Sequence, residues 1–213
     1  MGAGTAEDAR AGEPHVPADW WDEYPDLNVP YISLEQHASW ITSFTTSYFP
    51  ALLQTADYAR AVISAIVPHL NPEILERRVA ARLRRQVVLE PPNPLRYEVL
   101  LDEGLLRLPI GDPKVRYGQI DKVLAAISQH QVDLRMVPSG CITQDSNFVI
   151  LQFPEPGPPQ AVYVEGLVGY QHFDEKKDVD RYLEEVERLK KSALDPDDSV
   201  RLLERALDSY RDD

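Results

Sequence analysis

The chain has 213 residues, 43% of them hydrophobic and 27% charged, and a net charge of −13. That length supports one substantial core, while the acidity opposes a groove-binding role on nucleic acid, whose polyanionic backbone would meet repulsion over most of the surface. No run reaches the ~20 apolar residues of a membrane span, no signal-peptide core opens the chain, and a single cysteine, Cys141, excludes an internal disulfide. The expected location is cytoplasmic.

Residues 1–19 are rich in Gly, Ala, Pro and acids with almost no large apolar side chains, the composition of a disordered tail. Eight acids against one arginine in residues 1–39 supply more than half of the excess negative charge. Trp20, Trp21 and Tyr24 end that run and are expected to dock onto the body.

Thr55 is positioned to cap a helix through Tyr58, Val62, Ile63 and Ile66, closed by Pro68. Asn71 and Pro72 start a second, whose Leu75, Val79, Leu83 and Val87 form an i, i+4 stripe with Arg77, Arg78, Arg82, Arg84 and Arg85 on other faces. Prolines 91, 92 and 94 stop it. Alternation at Leu95, Tyr97, Val99 and Leu101 predicts a strand, and Asp112-Pro113 opens a helix through Val115, Ile120, Val123, Leu124 and Ile127.

Three strand-like runs follow at 132–137, 148–153 and 161–165, the middle one nearly all apolar and therefore expected at the centre of the sheet. Helices are predicted from Asp178, along Val179, Tyr182, Leu183, Val186 and Leu189, and from Asp195-Pro196, along Val200, Leu203, Leu207 and Tyr210. The expectation is an α+β fold: a helical N-terminal part, a small mixed or antiparallel sheet of about four strands, and C-terminal helices. Residues 20–195 form the body, and 196–213 a C-terminal helix.

Four segments, Tyr48-Phe-Pro-Ala-Leu-Leu-Gln-Thr-Ala-Asp-Tyr-Ala-Arg-Ala61, Arg78-Val-Ala-Ala-Arg-Leu-Arg-Arg-Gln86, Leu101-Asp-Glu-Gly-Leu-Leu-Arg-Leu-Pro-Ile-Gly111 and Val162-Tyr-Val-Glu-Gly166, resemble in order an actinobacterial family of uncharacterised domains. In that family the domain follows a helix-turn-helix of the xenobiotic-response-element type, in antitoxin-like transcriptional regulators. The resemblance covers roughly residues 20–195. Ala51 stands where the family tends to have glycine, and the loop 139–147 lacks the extra small residues the family carries there. Asp19-Trp-Trp-Asp-Glu-Tyr24 looks like the family's linker, and only 18 residues precede it, so the expectation is a body without the DNA-reading head.

Candidate ligand-binding residues are Phe49, Gln54, Thr55 and Tyr58 in the signature, Asp102, Glu103 and Arg107 at a strand end, and Tyr170. Glu165, Tyr163 and His172 are the candidate acid–base residues, since Tyr163 and Glu165 share a strand face opposite Val162 and Val164. The arginine run Arg77 to Arg85 is a candidate phosphate or partner-protein patch. Plainer readings stand beside these: capping and packing for the signature, local ion pairs for Asp102, Glu103, Arg107 and Glu165, and a solvated face for the arginine run. Five histidines without metal-ligand spacing give no metal site, and no phosphate loop or dinucleotide fingerprint calls for a cofactor.

The resemblance implies a small-molecule- or partner-sensing module without its own DNA binding. The alternative is a sensing pocket turned into a cofactor-independent enzyme of specialised metabolism, of cyclase type. A deep apolar cavity of several hundred Å³ would favour ligand binding or catalysis, and a filled core protein contact. The expected partner is a small-molecule ligand or substrate, with a small partner protein and homo-oligomerisation left open, and no direct contact with nucleic acid or membrane.

Overall fold

A computed structural model describes residues 29–90, 94–141, 143, 147–166 and 169–211. The expected tail over 1–19, the aromatic cluster of Trp20, Trp21 and Tyr24, and part of the loop 139–147 lie outside these residues. In chain order the elements are α1 (Val29–His37), β1 (Trp40–Thr45), α2 (Ala56–Ile66), α3 (Pro72–Arg85), β2 (Arg96–Asp102), α4 (Pro113–Ser128), β3 (Asp133–Val137), β4 (Asn147–Gln152), β5 (Ala161–Gly166), β6 (Gly169–Phe173), α5 (Lys176–Ser192) and α6 (Pro196–Ser209).

The strands form one sheet in the order β3-β2-β1-β4-β5-β6. Its β1, β2 and β3 run parallel, joined by α2 and α3 and then by α4, while β4, β5 and β6 add an antiparallel half beside β1. The fold is therefore mixed α+β as expected, but with six strands rather than about four. β1 and β6 are additional, and β1 divides the helical N-terminal part. The apolar run of β4 does sit centrally, between β1 and β5.

Alternation along the strands makes two cores. One face carries Ile41, Tyr97, Val99, Leu101, Leu134, Met136, Leu151 and Tyr163 against α1, α2, α4 and α6, and the other carries Phe44, Leu100, Phe148, Ile150 and Val162 against Val179, Val186 and Leu189 of α5. Leu203 and Leu207 place α6 in the first core, so the C-terminal helix packs with the body.

Helix starts follow local chemistry. Side-chain oxygens of Thr55, Asn71, Asp112 and Asp195 accept from backbone N–H groups in the first turns of α2, α3, α4 and α6, with proline in the first turn of the last three. Gly111 turns with φ +70° just before α4, and a Cβ there would meet Val115 Cγ1 at 2.6 Å, so no other residue fits without displacing that helix.

The stripe on α3 does not hold as a buried seam. Val79 is buried, but Leu83 and Val87 are 36% and 51% exposed, and α3 gives way at Gln86 to a 3₁₀ turn. Steps of four advance 400° around a helix of 100° per residue, so a long i, i+4 row walks off the inward face. Ile66, the last apolar position of α2, is likewise exposed.

Candidate functional site

The helices leave part of the first sheet face open, over β1, β4, β5 and β6. There α1, the C-terminal half of α3 and the turn between β1 and α2 frame a cleft lined by Tyr31, Glu35, Tyr48, Arg82, Arg85 and Glu165, with Ser43, Tyr97, Tyr163 and Tyr170 among the rest of its wall. Its free volume is about 90 Å³. This is smaller than the several hundred Å³ set above for a cyclase-like pocket, and its lining mixes aromatic and apolar side chains with four charged ones.

Sheet register builds one wall. Tyr163 pairs with His172 and Glu165 with Tyr170 across β5 and β6, so these four side chains share a face, as expected for Tyr163 and Glu165. Tyr31 stacks on Tyr170 with ring centroids 5.6 Å apart and meets Tyr163 edge-on at 5.0 Å. His172 is exposed and stacks on the Tyr163 ring at 4.8 Å, outside the cleft lining.

The turn after β1 brings in Tyr48. Asn147 Oδ1 accepts from the Thr45 hydroxyl at 2.8 Å and the Thr46 N–H at 3.0 Å, which fixes the turn, and the Tyr48 hydroxyl donates to Glu165 Oε2. Burial raises the Tyr48 pKa first and the Glu165 charge adds to it, so the phenol stays protonated and donates. Burial also raises Tyr31, Tyr97, Tyr163 and Tyr170, leaving a wall of neutral hydroxyls.

Two arginines of α3 turn inward, which corrects the reading of residues 77–85 as a wholly solvated face. Arg85 donates from Nε and Nη2 to the two oxygens of Glu35, each at 2.7 Å, and Glu35 is 1% exposed. Burial disfavours the Arg85 charge, and Glu35 more than offsets this, holding the guanidinium above its ordinary range. Arg82 differs. Its one hydrogen bond among the described residues runs from Nη1 to Oε1 of Gln54 at 2.8 Å, a neutral partner. Burial, and then Arg85 nearby, lower its pKa, while Glu165 acts on it only from a distance, without closing an ion pair.

The signature segment works behind the wall. Gln54 is fully buried: its Nε2 donates to the Phe49 carbonyl at 2.6 Å while its Oε1 takes Arg82. The Gln54 carbonyl receives Nε2 of Gln86 at 2.8 Å and Nζ of Lys122 at 2.9 Å, and Lys122, with only neutral acceptors, has its pKa lowered by burial. Gln119, also fully buried, ties Thr55 N–H and the Leu53 carbonyl, each at 2.8 Å. Ala51 opens a 3₁₀ turn and lines the cleft, and it is not among the described residues of positive φ, so alanine fits where the family tends to have glycine.

The remaining candidates lie outside the cleft lining. Phe49 and Tyr58 are core residues, meeting edge-on at 5.5 Å, and Thr55 is the α2 cap. Thr55→Ala is expected to cost about 1 kcal/mol, a fall of about 2–4 °C in Tm, with ligand affinity at the cleft unchanged; calorimetry with titration checks both. Asp102 accepts from Gly104 N–H at 2.6 Å and from the Ser139 hydroxyl, and Glu103 pairs with Arg107 at 3.2 Å. Glu103 and Arg107 border a separate surface hollow beside α6. Glu35, Tyr31, Tyr48 and Tyr97 were not among the sequence candidates, and Arg82 and Arg85 entered only as part of the arginine run.

Fold and site together define a mixed α+β domain with an aromatic, charge-paired cleft on the open part of its sheet. The chain belongs to the family described as a domain of unknown function, DUF5753, which matches residues 30–205. Neither a curated protein nor a solved structure matches it. Among the described residues no helix is long and apolar enough to cross a membrane.

Proposed function

We propose that this domain is a small-molecule-sensing module of the kind that the resemblance places behind the helix-turn-helix of antitoxin-like regulators, and that the cleft is its sensing site. Arg82 carries the reading. A guanidinium offers five N–H donors, and one that is half-buried with a single neutral partner among the described residues leaves most of them for a ligand. Three of the four segments on which the resemblance rests also supply the cleft: Tyr48 and Ala51, Arg82 and Arg85, Tyr163 and Glu165. The net charge of −13 over the whole chain, more than half of it in residues 1–39, disfavours DNA reading by the chain.

The test is a thermal-shift survey of the purified chain with carboxylates, amines, amino acids, sugars and nucleosides, followed by titration. A ligand at a hundred times its Kd adds about 2.7 kcal/mol of stability, a rise of about 5–10 °C in Tm, and Arg82→Gln should weaken its binding at least about tenfold. If nothing in the survey or in native extract shifts Tm, or if the shift survives both Arg82→Gln and Glu165→Gln, the cleft is not the site.

A second reading, the cofactor-independent enzyme of cyclase type, draws on the Tyr48–Glu165 pair. The Glu165 carboxylate, steadied by the Tyr48 hydroxyl, can take a proton from a bound molecule and return it at another atom. Mass spectrometry of the incubated ligand separates the two: recovery unchanged supports sensing, and conversion that stops in Glu165→Gln supports the enzyme.

A further inference from the structure

Four charged residues line the cleft, Glu35, Arg82, Arg85 and Glu165, and their charges sum to zero. Two of them are already satisfied by each other. Both Glu35 oxygens take N–H donors of Arg85 at 2.7 Å, a bidentate pair whose two charges balance each other. The other two are not. Arg82 spends one donor on Gln54, and Glu165 receives the Tyr48 hydroxyl on Oε2 while Oε1 has no donor among the described residues. These two opposite charges face one cleft without pairing with each other.

We infer that the cleft takes a small zwitterion of the α-amino-acid kind, its carboxylate on Arg82 and its ammonium on Glu165. The inference rests on the reading of the cleft as the sensing site. A purely anionic ligand would satisfy Arg82 and leave Glu165 facing it, and a purely cationic one would do the reverse. A phosphate fits less well, because its charge calls for a second cation and the Arg85 charge is already balanced by Glu35. A metal ion has no cage here, since the described residues hold no group of three or more candidate ligands. The free volume of about 90 Å³ suits a headgroup with few heavy atoms. Aromatic side chains, Tyr48 and Tyr170 among them, border what extends beyond it.

The test is isothermal titration of the full chain with the proteinogenic L-amino acids. The tightest of them is then compared with its amide, which keeps only the cation, and its N-acetyl derivative, which keeps only the anion. Each loss should weaken binding at least about tenfold. Glu165→Gln should erase the penalty for N-acetylation, and Arg82→Gln the penalty for the amide. Circular dichroism reports whether the variants fold, and if Arg82→Gln does not, Glu165→Gln, whose side chain makes one hydrogen bond, carries the comparison. The inference falls if no amino acid binds at low-millimolar concentration, or if the N-acetyl derivative binds as tightly as the parent. Should other compounds of the survey still bind through Arg82, the sensing site stands and only the zwitterion is lost. Should nothing bind, both fall.

Discussion

Glu35→Ala is expected to lower stability by about 3–5 kcal/mol, a fall of about 6–20 °C in Tm. The reason is the charge it strands rather than the bond it removes. Glu35 is 1% exposed and the Arg85 side chain 13%, so the guanidinium would stay out of water with its countercharge gone. Its position over the Tyr31 ring, 5.4 Å from the centroid, compensates only in part. Arg85→Met should cost a similar amount, by stranding the carboxylate. Replacing both, as Glu35→Leu with Arg85→Met, should cost less than either alone, because apolar side chains of similar volume remove the two desolvation penalties together. Chemical denaturation of the parent, Glu35→Leu, Arg85→Met and the double variant, analysed as a double-mutant cycle, gives the coupling. A single-site loss below about 1 kcal/mol, the range of exposed pairs such as Arg60–Asp57, would show that water reaches the pair and that the cleft is not the low-dielectric site described here.

The parts of this fold legible in the sequence were those where periodicity and end signals agree. β2 through β5 and α2 through α6 carry alternation, an apolar run or helical spacing, with capping residues at the starts of α2, α3, α4 and α6, and they form close to where those signals place them. β1 gives no alternation to read, because its Thr42, Ser43 and Thr45 are buried along with Ile41 and Phe44. Its position beside β2 and β4 satisfies their hydroxyls on Glu98, Tyr97 and Asn147, so a hydroxyl-rich strand can be buried at the centre. α1 hides for a related reason: Tyr31, Ile32, Ser33 and Glu35 are all buried, so no polar face contrasts with an apolar one. β6 is short, mixed in composition and at the sheet edge.

The site was legible where it lies on a strand with clear alternation, as for Tyr163 and Glu165. It was not legible where a charged side chain turns inward. Arg82 and Arg85 sit three apart on one helix face, and that spacing is compatible with a solvated face until Glu35 and Gln54 are known to lie opposite. Both partners are distant in sequence, on α1 and in the turn before α2, and only the fold brings them there. Asp102 shows the converse: a carboxylate at a strand end, attractive as a binding residue, is occupied with Gly104 and Ser139.

Gln54→Leu separates the network that shapes the cleft from the network that only holds the fold. Its loss should cost about 2–4 kcal/mol, because a buried carbonyl, that of Phe49, loses its donor and Arg82 loses its one acceptor. Gln119→Leu should cost a comparable amount, since it strands Thr55 N–H and the Leu53 carbonyl in the same segment. The two differ in what they touch. Gln119 meets only backbone groups in these bonds, whereas Gln54 orients the guanidinium that faces the ligand. Titration of the cleft ligand should therefore show affinity lost at least about tenfold in Gln54→Leu and within about twofold of the parent in Gln119→Leu. Gln54→Glu sharpens the contrast, because a carboxylate placed against Arg82 would neutralise it from behind and lower the affinity of any ligand that binds through its anionic group. Equal affinity in Gln54→Leu, Gln54→Glu and the parent would mean that Arg82 does not bind the ligand, and the cleft would then be a structural feature of the sheet face rather than a sensing site.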